Sequence, residues 1–393
     1  VAKLTAPLTT RPTLPLAPAA NAVLGLGTGG VPAYSFNVTA ANTVAFRNLW
    51  RGQTRAVSIA WNGDSTKAGQ TLSGGNTQGI NSLPMRLAPA LIARGIKAGA
   101  GNSFGDKAAY GQTQTLANLV AADARLSFSG GFVVGSTPAA GGASYAVSAA
   151  GAITFTPQHA VNEARIMWRD NGTGRNFNWA VDGGATTQVN STGAANFGIT
   201  TIPLGSLGTH TITMNWVAGA VQILAIEAYD NTAPEMRSWN WGISGVPSSV
   251  FLNNADTGAG RLAMLNRLQP DLVPSEVGVI NDWRTSVAVA TSKANAKAFA
   301  QAVKAYGGTP VLDVPVWDNG VVGNTANQQQ YVDAMYEIAI EENVPLFDIR
   351  KRVGWRSFAE ANAAGFMSDV VHPTALGYDD QANAWADFIK AIV

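Results

Sequence analysis

Between residues 126 and 226 only six side chains carry a charge: Glu163, Arg165, Arg169, Asp170, Arg175 and Asp182. Short apolar or β-branched runs (152–155, 164–168, 177–181, 210–216 and 221–226) alternate there with turns rich in Gly, Asn and Thr. Close spacing of short strands between such turns is the pattern of an antiparallel sandwich. Ile212, Met214 and Trp216 alternate with polar residues, so their apolar side chains share one face of a strand. From Met236 onward the period changes. Strand-like segments at 272–280, 310–316 and 345–349 are separated by the helical stripes Phe299/Val303/Tyr306 and Val332/Met335/Ala339, and a last helix follows Pro373. Alternating β and α units imply a parallel sheet covered by helices on both faces.

An earlier unit belongs with these. The run 55–61 ends abruptly in Asn62-Gly63-Asp64-Ser65, after which Leu83, Leu87, Leu91 and Ile92 recur at helical spacing. Joining this strand and helix to the units after 236 in one sheet makes the charge-poor stretch an insertion. The expected organisation is an extended lead-in over 1–45, where Pro and Gly are frequent, an α/β domain from 46–106 and 232–393, and an inserted β-sandwich over 107–231. Ligands in open α/β sheets bind beyond the carboxyl ends of the strands.

Composition removes several function classes. With 26 Lys and Arg against 25 Asp and Glu, the 393-residue chain has a net charge of +1 and no basic run, so it lacks the field that nucleic acid or an anionic membrane requires. Charged residues make up 13%, against a usual ~25%, while hydrophobic content is an ordinary 46%. The surface is therefore neutral and rich in hydroxyls and amides, the opposite of a disordered chain. The absence of cysteine excludes disulfides, thiolate metal sites and thiol catalysis. Residues 126–162 carry no Asp, Glu, Lys or Arg, but Gly, Pro, Ser and Thr interrupt them too often for a membrane span.

Four segments can carry chemistry. Ser65 follows a strand through a Gly turn, a position at a strand end close to free backbone N–H groups, although serine also caps helices and turns there. His372 is one of three histidines, the others being His159 and His210 in the strand-rich insert. Asp369 precedes it by three residues, a spacing at which a carboxylate reaches the Nδ1–H on a tight turn and leaves Nε2 free as a base. Asn240-Trp-Gly242-Ile-Ser-Gly245 follows a strand, where the N–H of Gly245 can meet a substrate oxygen. The segment 277–282 ends the next strand and offers the side-chain amide of Asn281. A look-alike at 102–106 lacks a following βα unit and is set aside.

In this order, Gly63-Asp64-Ser65, Asn240-x-Gly242-x-x-Gly245, Asn281-Asp282 and Asp369-x-x-His372-Pro373 resemble the sequence blocks of the SGNH (GDSL-type) hydrolases, over roughly 55–105 and 236–393. Two positions depart from the pattern. Thr66 stands where an aliphatic residue is common, and Val279 stands where the family has Gly, with Gly278 one place earlier. The resemblance implies a doubly wound, mainly parallel five-stranded sheet of flavodoxin-like type. It also implies a serine esterase: Ser65 as nucleophile, His372 as base, Asp369 orienting it, and an oxyanion hole from the N–H groups of Ser65 and Gly245 and the amide of Asn281. No metal or organic cofactor is implied, and Asp64 is expected to brace the turn.

Phe155-Thr-Pro, Phe177-x-Trp179-x-Val-Asp182-Gly-Gly and Gly208-Thr-His210-Thr-Ile212 are similar to jelly-roll modules beside or within carbohydrate esterases, including those of phage tail fibres. That likeness implies an acetylated polysaccharide or glycan as substrate and a secreted or extracellular setting, a phage tail included. Trp168, Trp179 and Tyr145, with Asn178 and Arg175, would form a sugar platform, although Trp168 and Trp179 also suit a sandwich core. Trp241, Trp283 and Trp317 are expected on strand-end loops, bordering the pocket or covering the sheet. The competing readings are a lipid or aryl ester hydrolase, and a catalytically silent carbohydrate-binding fibre or adhesion protein.

Overall fold

The computed structural model describes residues 30–70, 82–99, 102–104, 115–135, 144–170, 172–193, 197–232, 234–252 and 261–393. The chain first lays down β1 (Ser35–Phe36), β2 (Val57–Gly63) and β3 (Ala98–Gly99). It then builds a separate sheet from β4 (Asn102–Phe104), β5 (Leu126–Gly135), β6 (Ser144–Phe155), β7 (Val161–Trp168), β8 (Asn176–Val181), β9 (Thr187–Val189), β10 (Gly198–Gly208), β11 (Ile212–Ala218) and β12 (Val221–Tyr229). It returns as β13 (Met236–Gly242), β14 (Leu272–Ser275), β15 (Thr309–Val314) and β16 (Leu346–Asp348). The helices are α1 (Ala40–Gly52), α2 (Ser65–Ala68), α3 (Leu83–Ile92), α4 (Leu116–Ala122), α5 (Arg261–Leu268), α6 (Val279–Arg284), α7 (Val289–Ala305), α8 (Gln328–Glu341), α9 (Phe358–Ala363) and α10 (Ala375–Ile392).

The first sheet has the order β1-β16-β15-β14-β2-β13-β3 and is parallel throughout except where β1 pairs with β16. Among the described residues it is mixed and seven-stranded, not five-stranded. The two extra strands are edge pieces of two residues each, too short to leave a period in the sequence. The second sheet is antiparallel, in the order β10-β7-β12-β6-β11-β8-β9, with β4 on β12 and β5 on β6, consistent with an inserted β-sandwich.

Three boundaries differ from expectation. The lead-in expected through residue 45 gives way at Ala40 to α1, where Thr39 and Asn42 form a reciprocal capping box; its first 29 residues lie outside the described residues. Only Thr43, Phe46 and Arg47 of that helix are buried, too thin a stripe to register as a period. Residues 102–104, assigned to the α/β domain, instead pair with β12 of the second sheet. The strand expected over 272–280 stops at Ser275, because Val277 and Gly278 take left-handed φ of 48° and 63°, and α6 begins at once.

Each sheet encloses its own apolar core, and Met167, Phe197, Leu224 and Ala225 of the second sheet's region pack into the core of the first. Among the described residues no helix is long and apolar enough to cross a membrane.

Candidate active site

β2 lies in the interior of its sheet and is buried along its whole length. It delivers Asp64 and Ser65 at its carboxyl end, where Asp64 caps α2 by accepting from the Thr66 N–H at 2.9 Å. A Cβ on Gly242 of β13 would stand 2.1 Å from Ala68 N, so a glycine is what lets α2 close onto the neighbouring strand. Ser65 is consequently held in a fixed attitude, 7% exposed.

From the other end of the chain, the turn before α10 brings His372 across. Its Nε2 lies 2.9 Å from Ser65 Oγ, and its Nδ1 lies 2.7 Å from Asp369 Oδ2. The second carboxylate oxygen of Asp369 accepts the N–H groups of Val371 and His372 at 2.8 and 2.7 Å, so the carboxylate that holds the ring also shapes the turn. Burial acts to raise the Asp369 carboxyl, but the hydrogen bond and charge of His372, with these two N–H groups, outweigh it and hold the group down to about 2. Ser65, His372 and Asp369 are thus brought together in one run of contacts, in which a tautomer with Nδ1–H donating to Asp369 would leave Nε2 to accept the serine proton.

Gly245 lies on the loop that follows β13. Among the described residues neither the Ser65 nor the Gly245 N–H donates to a protein acceptor. Asn281 lies in α6, and its Nδ2 donates to Asp64 Oδ2 at 2.9 Å. One hydrogen of that amide therefore braces the serine turn and the other is left over. Gly278, displaced by one position from the family pattern, is accommodated at φ 63°, with its α-carbon against Val246 and Pro247; a Cβ there would be 2.6 Å from Val246 O.

Beneath Ser65 lies a buried ionic cluster that sequence reasoning missed. Lys67 Nζ sits 2.9 Å from Asp313 Oδ2 and 3.5 Å from Glu276 Oε2. Glu276 in turn accepts from the Asp64 N–H at 2.9 Å and from Thr66 Oγ1 at 3.0 Å. Lys67, Asp64, Glu276 and Asp313 are all sealed from solvent. One ammonium among three carboxylates leaves negative charge in excess, and the carboxyls respond. Burial, then the charge of Glu276, pushes Asp64 well above the usual range, and burial pushes Asp313 up to about 6 against the pull of Lys67. Burial acts to lower Lys67, yet Asp313 and Glu276 raise it on balance. The available signal was a lysine two residues after the serine in a chain with few charges. A second isolated charge, Arg261, donates to Asn62 Oδ1 and Trp241 O, and burial lowers it to about 9.

The aromatic assignments need correction. Trp241 and Trp283 are fully enclosed, Trp241 stacked on Trp239 and Trp283 donating to Asp318 at 2.9 Å, so neither can border a pocket. Tyr145 and Trp168 are likewise core residues of the second sheet. The large apolar faces of these rings are worth more in a core than on a loop. Trp179 and Trp317 remain partly exposed, although Arg350 covers one face of Trp317 at 4.2 Å. His210 bonds Asp182 and Ser206 O through its two nitrogens, at 2.7 and 2.8 Å.

The GDSL-like lipase/acylhydrolase family matches residues 216–379, a span holding Gly245, Asn281, Asp369 and His372. No curated protein matches the chain in sequence. Among solved structures, a peptidoglycan O-acetylesterase shares the fold with a TM-score of 0.65 at 15% identity, covering 92% of this chain and 98% of its own. An acetylxylan esterase from Geobacillus stearothermophilus is 21% identical, covering 39% of this chain and 73% of its own at a TM-score of 0.32. TesA is 23% identical, covering 41% and 81% at 0.32.

Proposed function

We propose that this chain, whose residues 216–379 match the GDSL-like lipase/acylhydrolase family, is an SGNH-type serine esterase removing O-acetyl groups from a polysaccharide or glycan, with Ser65, His372 and Asp369 as its triad. The observation that carries this reading is the unbroken run of contacts from Ser65 Oγ through His372 to Asp369, at 2.9 and 2.7 Å. Ser65 Oγ adds to the ester carbonyl while its proton passes to His372 Nε2, and Asp369 stabilises the imidazolium. The oxyanion is received by the N–H groups of Ser65 and Gly245 and by the remaining amide hydrogen of Asn281, donors that need no reorganisation as charge develops. The imidazolium returns its proton to the departing sugar oxygen. Water, deprotonated by His372, then attacks the acetyl-serine, and acetate leaves with Ser65 restored.

Likeness in fold to a peptidoglycan O-acetylesterase over 92% of the chain supports the choice of a glycan, as does the partly exposed Trp179 on the second sheet. A polymer of that kind lies outside cells, so we infer a secreted or extracellular enzyme, a phage tail included. One observation favours the competing lipid or aryl ester reading: Val321, Val322 and Val370 are exposed, and Asn319 N–H to Val370 O, 2.8 Å, ties their loop to the His372 turn. The test is acetate release from a panel of acetylated polysaccharides, beside hydrolysis of acyl esters of increasing chain length, by the wild type and by Ser65→Ala. Glycan deacetylation lost in the variant is expected. A strong preference for long chains with no glycan turnover overturns the substrate, and activity surviving Ser65→Ala overturns the triad.

A further inference from the structure

At the amino ends of β2, β13 and β14, opposite the end that carries Ser65, the second sheet leans over the first and leaves a cavity of about 430 Å³. Ser58 of β2 lines it, so along a strand rising ~3.3 Å per residue the cavity lies roughly 20 Å from Ser65. Both sheets contribute: Arg55, Asp271 and Arg237 from one side, Glu163, Arg165 and Tyr229 from the other.

The chemistry here is lopsided. Asp271 already accepts both Nη1 and Nη2 of Arg55, at 2.9 and 2.6 Å, and the N–H and hydroxyl of Ser58 at 2.8 and 3.2 Å. Glu163 accepts from Tyr229 and from Asn231, and Glu227, behind the wall, accepts from Arg165, Arg237 and Trp239. Every carboxylate is engaged. The two guanidiniums are less so: among the described residues Arg165 and Arg237 each bond Glu227 alone, and the enclosed Nε of both has no partner. The ring of Tyr229 is packed against both, 5.2 and 4.2 Å from their centres, which fixes their attitude. Charges balance in number, but hydrogen-bonding capacity does not; the surplus consists of donors on two guanidiniums that line a cavity between two sheets. Such a site calls for a ligand group that only accepts, and planar guanidinium pairs match a carboxylate. A cavity of 430 Å³ is of the size that takes a sugar unit.

We infer that this cavity is a second saccharide subsite, which takes a uronate-type sugar and receives its carboxylate on Arg165 and Arg237. The carboxylate chemistry stands on the cavity alone, whereas its role as an anchor for a substrate polymer rests on the glycan-esterase reading above. An anchored polymer raises the local concentration of its acetyl groups at Ser65, so the subsite acts on KM for polymer and not on turnover of a small ester.

The experiment is calorimetric titration of the full chain with glucuronate, galacturonate, glucose and inorganic phosphate, on the wild type, Arg165→Gln and Asn231→Trp. Asn231 is an exposed rim residue, and a bulky ring there closes the mouth without touching the guanidiniums. Uronates are expected to bind the wild type and glucose and phosphate are not; each variant weakens uronate about tenfold or more while leaving kcat on a small acyl ester unchanged. Should Arg165→Gln fail to fold, Asn231→Trp decides. The inference falls if uronate does not bind by about 10 mM, if both variants bind it like the wild type, or if phosphate binds as tightly. A wild type without esterase activity that still binds uronate would remove the enzyme reading and leave the subsite.

Discussion

At the scale of single residues, what distinguishes Asp369 from an ordinary surface carboxylate is that it does two jobs with two oxygens. Asp369→Asn should keep the turn, because the amide oxygen can still accept the N–H groups of Val371 and His372. It should also favour the wrong imidazole tautomer and lower kcat by about 10³–10⁴-fold with the thermal midpoint little changed; a kinetic loss matched by a comparable loss of folding would show that the residue is only structural. Asn281→Ala removes one expected oxyanion donor and should lower kcat about 10²–10³-fold with KM nearly constant. The three residues proposed as a triad were legible because histidine is scarce here and the Asp369–His372 spacing has a chemical meaning. Lys67, Glu276 and Asp313 were not, because a charge is read from sequence as solvated and only the meeting of β2, β14 and β15 seals these three together. Lys67→Met leaves their carboxylates without an ammonium and should cost about 3–5 kcal/mol in chemical denaturation. Adding Glu276→Gln should restore part of that loss, and strict additivity of the two changes would show that the pair does not interact.

At the scale of elements, segments with an unbroken run or stripe were read, whereas β5, β10 and most of β6, which Gly, Pro and small residues interrupt, were missed along with the short edge strands. Buried strands such as β15 and amphipathic helices such as α8 declare themselves through runs and stripes that extend over several turns or pleats. Edge strands of two residues carry no period, and α1 hides behind a weak stripe begun by a capping box. The overextended strand at 272–280 failed for a different reason: an apolar run continues through Val277, Val279 and Ile280, but the backbone turns at Val277 and Gly278. That turn is what aims α6, and hence Asn281, at Asp64 beside the serine. Gly278→Ala is therefore a test of an element and not of a contact. Its Cβ would meet Val246 O at 2.6 Å in a left-handed conformation, pushing on the loop that carries Gly245. The strain should cost roughly 1–3 kcal/mol, with kcat falling more than KM rises; an unchanged kcat in a destabilised protein would detach this loop from the oxyanion.

At the scale of the whole molecule, the two sheets meet around groups that prefer to be neutral. Glu235, 1% exposed where β12 leads into β13, is pushed up to about 7 by burial, against the pull of the Asp230 N–H, Lys97 and Arg237. His159, from the second sheet's side, faces the same spot: a Cβ on Gly99 would stand 2.9 Å from its Nε2 and 3.6 Å from Glu235 Oε1. Burial, then Arg125 and Lys97, lowers His159. The two signs oppose. A carboxyl whose folded value is raised contributes stability that is full below its unfolded value and is lost as pH rises through the folded one, here from about 4.5 to about 7. An imidazole whose value is lowered loses its contribution in the other direction, as pH falls below 6.5. The junction is thus squeezed from both sides, and Glu235→Gln should relieve only the alkaline side. Gln keeps an oxygen for the Asp230 N–H, so the variant should match the wild type near pH 4.5 and exceed it at pH 8 by roughly 2–3 kcal/mol, read as a higher melting temperature. A variant less stable than the wild type at pH 8 would mean that Glu235 is ionised and paired with Lys97 or Arg237, so that the sheets are joined there by an ion pair and not by neutral burial.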